Sequence, residues 1–330
     1  MDLRGERVLV TGGAGFIGSH VVDRLVEEGA DVVAVDDLSV GKPENLAAAE
    51  QAGARLIMGD IRDHDFVKRC FADAAVVIHM ACDNLRASIG HPMHTHDINA
   101  TATLVTCLAA VEAGVSRYVY VSSSEAYGSA RFLPMREDHP LEPTTVYGAS
   151  KAAGELYAHG CMKTYGLPII VVRPFNAYGP REHFEGTSAE VIPKFVSRIL
   201  AGRPPVIHGS GTQTRDFTWV EETAAGIVAA AGCDDLIGEA VNIAHGRGVS
   251  IREICALLLE ILDAQELQPQ FDEPRPGDVD HHYADVTKAR TVLGFEARIS
   301  IRKGLERFTD WLTTGVRPER LRAEAPVRNW

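Results

Sequence analysis

The sequence contains no apolar run approaching the roughly 20 residues needed to cross a bilayer, which sets aside a membrane-spanning role. It also lacks any C-x-x-C pair. Its six cysteines, Cys70, Cys82, Cys107, Cys161, Cys233 and Cys255, are scattered, and none has a histidine at zinc spacing. No metal site is therefore expected, and a reduced, cytoplasmic protein is the plain reading. Positive charge is in short supply: 33 lysines and arginines face 45 aspartates and glutamates, a formal charge of −12. That balance speaks against general affinity for nucleic acid or an anionic membrane, so any phosphate must be held locally. Internal repeats and low-complexity tracts are absent. The opening Met-Asp-Leu-Arg-Gly-Glu-Arg has neither the apolar core nor the small-residue cleavage site of a secretory signal.

What is present is enough apolar material, 45% of residues, for a sizeable core in one large domain or two closely joined lobes. Arg7 to Thr11, Asp31 to Asp36, Ala75 to His79, Tyr118 to Ser122 and Pro168 to Arg173 read as buried strands. Between them, Phe16 to Glu28, His64 to Phe71, Met93 to Ala113 and Tyr147 to Tyr165 carry apolar residues at helical spacing. The alternation predicts an α/β fold with a Rossmann-type doubly wound parallel sheet. After Arg173 the rhythm loosens, and proline and glycine become frequent from Gly179 to Thr212, as in a smaller lobe laid over the open end of the sheet. Thr218 to Ala231 and Ala240 to Ala244 are expected to return to the main sheet. The expected division is a Rossmann domain of 1–176 plus about 218–245, and a smaller, mostly C-terminal α/β substrate lobe of about 177–217 and 246–330. Gly315 to Trp330, charged and containing two prolines, reads as a loosely held tail.

Thr11-Gly12-Gly13-Ala14-Gly15-Phe16-Ile17-Gly18 stands between the first strand and the first helix. Glycines at 12 or 13, 15 and 18 permit a tight turn, close approach of backbone to a pyrophosphate and contact between helix and strand. The helix start then offers free N–H groups to phosphate oxygens. Such loops also occur as plain punctuation, but the placement here predicts a dinucleotide site. Asp36 ends the second strand about twenty residues on, where a carboxylate accepts from ribose hydroxyls. Asp37 follows and no arginine is near, so a 2′-phosphate would meet two negative charges and NAD is favoured over NADP. Asp37 itself fits an ordinary strand-end turn.

Tyr147-Gly148-Ala149-Ser150-Lys151 opens a long helix, and a spacing of four puts Tyr147 and Lys151 on one face. An adjacent ammonium and an oxidised nicotinamide both favour phenolate, which makes the tyrosine a usable base. Y-x-x-x-K alone is common on amphipathic helices. Ser122-Ser123-Ser124-Glu125 follows the preceding strand at the edge where such sheets bind ligands. A serine there can hydrogen-bond a sugar hydroxyl while Tyr147 takes its proton. Alone, the run reads as a turn satisfying its own backbone.

Together these motifs resemble the extended short-chain dehydrogenase/reductase family, specifically its nucleotide-sugar epimerases, dehydratases and decarboxylases. The resemblance runs from TGGAGFIG through GDIRD, HMA, DINATATL, SSSEAYG, YGASK and RPFNAYGPR to GSGTQTRDF and RPGDVDHHYADVTKA. It implies an NAD enzyme in which Gly12, Gly15 and Gly18 bind pyrophosphate, Asp36 binds ribose, and Asp60 with Ile61 meets adenine. Phe16, Ile17, Met80, Ala81 and Ser122 complete the implied cofactor site. Lys151 would orient the nicotinamide ribose, and Asn99 would support an active-site water and the helix geometry. Ser123 takes the place of the catalytic serine or threonine and Tyr147 that of the base. Asn176, Arg215 and Arg275 resemble the diphosphate clamp, with Asp278 near the nucleotide ribose. A guanidinium fork suits phosphate oxygens, although either arginine alone also reads as surface charge.

All three reactions begin with oxidation to a 4-keto sugar, so the groups around the ketone must separate them. Glu125 stands where dehydratases place the base for the C5 proton, but Ser124 replaces the aspartate of dTDP-glucose dehydratases. Ser123-Ser124-Glu125 resembles the Thr-Ser-Glu of GDP-mannose dehydratases and UDP-glucuronate decarboxylases. The C-terminal RPGDVDHHYADVTKARTVLGF is closer to 4-epimerases, and His282 stands where decarboxylases carry an arginine. The loop Ala81 to Pro92 is one residue short, with an atypical Cys82 and Asp83; Cys82 reads as a small buried residue rather than a nucleophile. A UDP-sugar 4-epimerase ranks first, UDP-glucuronate decarboxylase or 4,6-dehydratase second. A non-catalytic NAD sensor needs none of this sugar chemistry, and an NADPH reductase sits badly with Asp36, Arg215 and Arg275. The resemblance also implies a homodimer packed through the helices around Thr101 to Ala113 and Tyr147 to Tyr165, with Ala102, Ala109, Ala110, Ala149, Ala152 and Ala153 as the small-residue faces.

Overall fold

The computed structural model describes residues 1–184, 189–275 and 277–315; the expected tail beyond Gly315 lies outside them. The β-branched runs of the first half form β1 (Arg7–Thr11), β2 (Asp31–Asp36), β3 (Arg55–Met58), β4 (Val76–His79), β5 (Arg117–Val121) and β6 (Ile169–Pro174). Three strands follow, β7 (Asn176–Tyr178), β8 (Val206–His208) and β9 (Thr214–Trp219). The chain then makes β10 (Ala240–Ile243), β11 (Gly248–Ser250), β12 (Gln270–Asp272) and β13 (His281–His282). A seven-stranded sheet runs in the order β10-β6-β5-β4-β1-β2-β3, parallel at every pairing. The chain winds outward in both directions from the β1–β4 junction, and a crevice opens there at the carboxyl ends of the strands. This is the expected doubly wound α/β fold.

The helices are α1 (Phe16–Glu27), α2 (Ala47–Gln51), α3 (His64–Phe71), α4 (Leu85–Gly90), α5 (Pro92–His96) and α6 (Ala102–Ala113). They continue with α7 (Val146–Tyr165), α8 (Val191–Leu200), α9 (Val220–Gly232), α10 (Ile251–Ile261), α11 (Thr287–Leu293) and α12 (Ile301–Gly315). None among the described residues is long and apolar enough to cross a membrane. Alternate strand residues feed opposite faces of the sheet. Val8, Val10, Val32, Ile78, Val119 and Val172 pack with Val21, Leu25 and Ile227 of α1 and α9 on one side. Leu9, Val33, Val77, Tyr118 and Val171 pack with Val67, Cys107 and Ala158 of α3, α6 and α7 on the other. Truncating one such residue to alanine costs about 2–5 kcal/mol.

The edge strand β3 is not among the strands expected: its apolar run, Leu56 to Met58, is short, and Ile57 and Met58 are exposed. Three expectations are corrected. The run read as one helix from Met93 to Ala113 breaks into α5, a wide π-type turn at Asp97–Thr101, and α6. The start of the run from Thr218 belongs to β9, which pairs with β7, β11 and β13 in a smaller sheet; α9 is the part that packs on the large sheet. Ala102, Ala109 and Ala110, expected on a partner-facing surface, are buried in this chain's own core, because small residues let α6 seat closely. The large apolar residues that α6 and α7 leave outside are Leu108, Val146, Leu156, Tyr157 and Tyr165.

The wide turn has a clear local use. Asn99 Oδ1 accepts from the Asp83 amide at 2.7 Å, and its Nδ2 donates to the Asp83 carbonyl and to Ser150 Oγ, each at 3.1 Å. Deeper in, the Thr11 hydroxyl accepts from the amides of Met80 and Ala81 and lies 2.7 Å from His79 Nδ1. His79 Nε2 is 3.1 Å from the Thr103 hydroxyl, which donates to the Asn99 carbonyl.

The smaller layer packs α8, α10 and α12 on β9. Ile192, Phe195, Val196 and Ile199 of α8 interlock with Ile254, Leu258, Leu305 and Phe308. The helix α8 lies inside the stretch where proline and glycine obscured the rhythm.

Candidate active site

Gly12 takes φ = +70°, open to glycine at little strain, and a Cβ there would stand 2.8 Å from the Ala81 backbone. At Gly18 a Cβ would fall 2.0 Å from the Gly12 carbonyl oxygen, so the helix and the turn touch backbone to backbone. Gly15 caps α1 without any side-chain bond, which leaves the first N–H groups of the helix to a ligand.

A cavity of about 550 Å³ runs from this turn along the carboxyl ends of the strands into the smaller layer. Gly12, Gly15, Phe16, Ile17, Gly18, Asp36, Asp60, Ile61, Met80, Ala81 and Ser122 line one part of it. Ser123, Ser124, Glu125, Tyr147, Lys151, Asn176, Arg215, Arg275 and Asp278 line the rest. Of the site residues read from the sequence, Asn99 alone stands behind the wall, holding Asp83 and Ser150 in place. Sequence reasoning missed Arg86, Glu182 and Glu190, which also face the cavity. Cys82, expected to be buried, is exposed there.

Asp36 accepts from the Ala14 and Leu38 amides at 3.0 and 2.9 Å. Burial raises its pKa, and those two amides oppose the rise. Asp37 accepts from Ser39, as a turn residue does. Asp60 is gripped by Arg62 at 2.6 Å, which lowers its pKa. Ser122 Oγ and Asn176 Oδ1 are buried at the wall without a protein partner, groups that a polar ligand satisfies. The glycine turn, the open helix end, Asp36 and the Ser122 hydroxyl together fit a bound dinucleotide.

Tyr147 sits in the first turn of α7, which Thr145 caps by accepting from the Gly148 amide at 3.0 Å. Gly148 lets the helix press against Glu125, whose carbonyl would be 2.4 Å from any Cβ. The Ser123 hydroxyl accepts from the Glu125 amide at 3.2 Å and lines the same cavity as Tyr147. Burial drives the Tyr147 pKa well up, Cys82 and Glu125 add to it, and Ser123 opposes it. Lys151 donates to the Val121 carbonyl at 2.7 Å and lies 4.7 Å over the Tyr120 ring, with its pKa lowered by burial.

Arg215, on β9, donates to the Val279 and Thr214 carbonyls at 2.8 and 2.9 Å and pairs with Asp278. Asp278, expected near the nucleotide ribose, is here the counter-ion of Arg215. Glu125 is half-buried, and desolvation raises its pKa, while Arg215 and Arg275 pull the other way. His282 lies behind the wall, its Nε2 donating to the Ser124 carbonyl at 3.1 Å. Burial depresses its pKa to about 3, so the ring is neutral.

With this geometry in hand, comparison with known proteins is direct. The UDP-glucose 4-epimerase of Mycolicibacterium smegmatis is 35% identical over 309 residues, 92% of this chain and 98% of the relative. A crystal structure of the Thermotoga maritima UDP-glucose 4-epimerase with UDP-glucose superposes with a TM-score of 0.88 at 34% identity, covering 94% of this chain and 99% of that one. The dTDP-glucose 4,6-dehydratase of Streptomyces venezuelae, solved with NAD bound, gives a TM-score of 0.87 at 33% identity over 92% of this chain and 96% of its own. The sequence model of the NAD dependent epimerase/dehydratase family matches residues 8–244, and the chain belongs to that family.

Proposed function

We propose that this chain is a UDP-sugar 4-epimerase working with NAD. The observation that carries the reading is the meeting of Tyr147 and Ser123 in one cavity with Arg215 and Arg275. Gly12, Gly15, Gly18, Asp36 and Ser122 would hold NAD, which when bound accepts a hydride from the sugar and returns it. Ser123 hydrogen-bonds the C4 hydroxyl, and Tyr147 takes its proton and later gives it back. Lys151, already fixed on Val121, positions charge beside that phenol. Arg215 and Arg275 would hold the diphosphate and leave the sugar ring free to turn its other face within the cavity. UDP is the chosen nucleotide because similar proteins are named for UDP-glucose.

A second reading gives Glu125 a proton transfer at C5: taking that proton as water leaves makes the chain a dehydratase, and giving one to C5 after carbon dioxide leaves makes it a decarboxylase. Its carboxyl at the cavity wall, with a raised pKa, favours that reading. Ser124 in place of an acid and the neutral His282 outside the cavity favour the epimerase. Incubating the protein with UDP-glucose, UDP-N-acetylglucosamine, UDP-galacturonate and UDP-glucuronate and following products by NMR separates them. An inverted C4 centre supports the proposal, whereas carbon dioxide loss or a 4-keto-6-deoxy product replaces it.

Three further assignments belong to the same reading. The cofactor unit is residues 1–176 plus about 218–245, and the substrate unit about 177–217 and 246–330. The chain works as a homodimer through the exposed Leu108, Leu156 and Tyr157 of α6 and α7, and monomer alone in micromolar sedimentation rejects this. Its six free thiols suit the cytoplasm.

A further inference from the structure

Away from the glycine turn, the cavity wall carries an arginine that already has its anion. Arg86, on α4, is buried, with 5% of its side chain accessible. Its two terminal nitrogens donate to both oxygens of Glu190, which stands just before α8; the Nη2–Oε2 contact is 2.7 Å. Glu182, after β7, is buried as well and accepts from the Gly179 amide at 3.2 Å, and its charge also acts on Arg86. Burial and Glu190 raise the Glu182 pKa while Arg86 opposes the rise, so the forked pair is Arg86 with Glu190. A fork-on-fork pair of this kind is held in register by geometry as well as charge.

The place of the pair matters. Glu190 lines the same cavity as Tyr147 and Glu125, at the reacting end of the site, and Arg275, at the diphosphate end. About half of its side chain, 51%, is accessible. A sugar with a carboxylate at C5 would have to take Arg86 from a partner that is tethered and already aligned, and would lie beside Glu182 and Glu125 while doing so. A hydroxymethyl group meets neither obstacle, because it donates to a carboxylate oxygen without disturbing the pair.

Building on the reading above, we propose that Arg86 and Glu190 form a specificity filter that admits a neutral nucleotide hexose and refuses a uronic acid. The unmodified protein is the first test. Its kcat/KM for UDP-glucose is expected to exceed that for UDP-glucuronate by about 100-fold or more, the range for like charges brought together at a binding surface. Glu190→Gln keeps a hydrogen-bond acceptor for Arg86 and removes the competing anion. It should narrow the ratio by about 10-fold or more, chiefly through a lower KM for the uronate. Should that variant fail to fold, Glu182→Gln removes the other carboxylate and should narrow the ratio in the same direction. Turnover of UDP-glucuronate within about 3-fold of UDP-glucose by the unmodified protein, or an unchanged ratio in a folded variant, overturns the filter. The same ratios measured as calorimetric Kd values keep the two questions apart. If both sugars bind but neither is inverted at C4, the epimerase reading fails, and the Kd ratio alone decides the filter.

Discussion

The two ends of the cavity are built on different principles. At the glycine end the shape is backbone: Gly12 and Gly18 make room that no other residue leaves, and α1 presents bare N–H groups. At the arginine end the shape is side-chain charge, and those charges are already matched within the chain, Arg215 with Asp278 and Arg86 with Glu190. A ligand enters the first end as into a mould. It enters the second by exchanging ion pairs, so affinity there depends on what the ligand offers in return for the internal partner.

The sharpest way to probe the junction of the two ends is Tyr147→Phe. It should cut kcat by about 10²- to 10⁴-fold with little change in ligand Kd, since it removes the proton acceptor and leaves the mould and the charges intact. Gly18→Ala strikes the backbone end alone. With a methyl 2.0 Å from the Gly12 oxygen, NAD affinity should fall by about 100-fold while the Kd for UDP changes little; equal losses for both would break the contrast. Arg215→Met strikes the charged end. KM for the UDP-sugar should rise about 10- to 100-fold, the size of a charge-assisted hydrogen bond, with NAD affinity retained. The smallest effect is expected from Glu125→Gln, less than about 3-fold on C4 inversion, because an epimerase asks no proton transfer of it; a loss above about 100-fold identifies it as a base.

The same contrast explains what could be read from the sequence. The strands of the large sheet fall within a residue of the β-branched runs, except for β3, whose apolar run from Leu56 to Met58 is too short to stand out. The glycines, Asp36 and the Tyr147–Lys151 spacing were legible because backbone geometry and helix periodicity restrict which residues fit. Asp278 as counter-ion to Arg215 was not, because the two are far apart in sequence and meet only when β9 and the loop before β13 come together. Arg86 and Glu190 were invisible for the same reason, since pairing across 104 positions leaves no local pattern. The break in the helix before α6 escaped notice because Asn99 is used for its side-chain amide, which periodicity does not weigh.

The hydroxyls around His79 also settle a question of proton bookkeeping. Thr103 spends its only proton on the Asn99 carbonyl, so it must receive one from His79 Nε2, and His79 Nδ1 must in turn be the acceptor for Thr11. The imidazole, kept neutral by burial, is thereby locked in a single tautomer, and every donor in the chain points the same way. A relay with one permitted direction has no alternative arrangement to slip into, so the end of β1, the Met80–Ala81 segment and the turn bearing Asn99 keep step as one rigid piece.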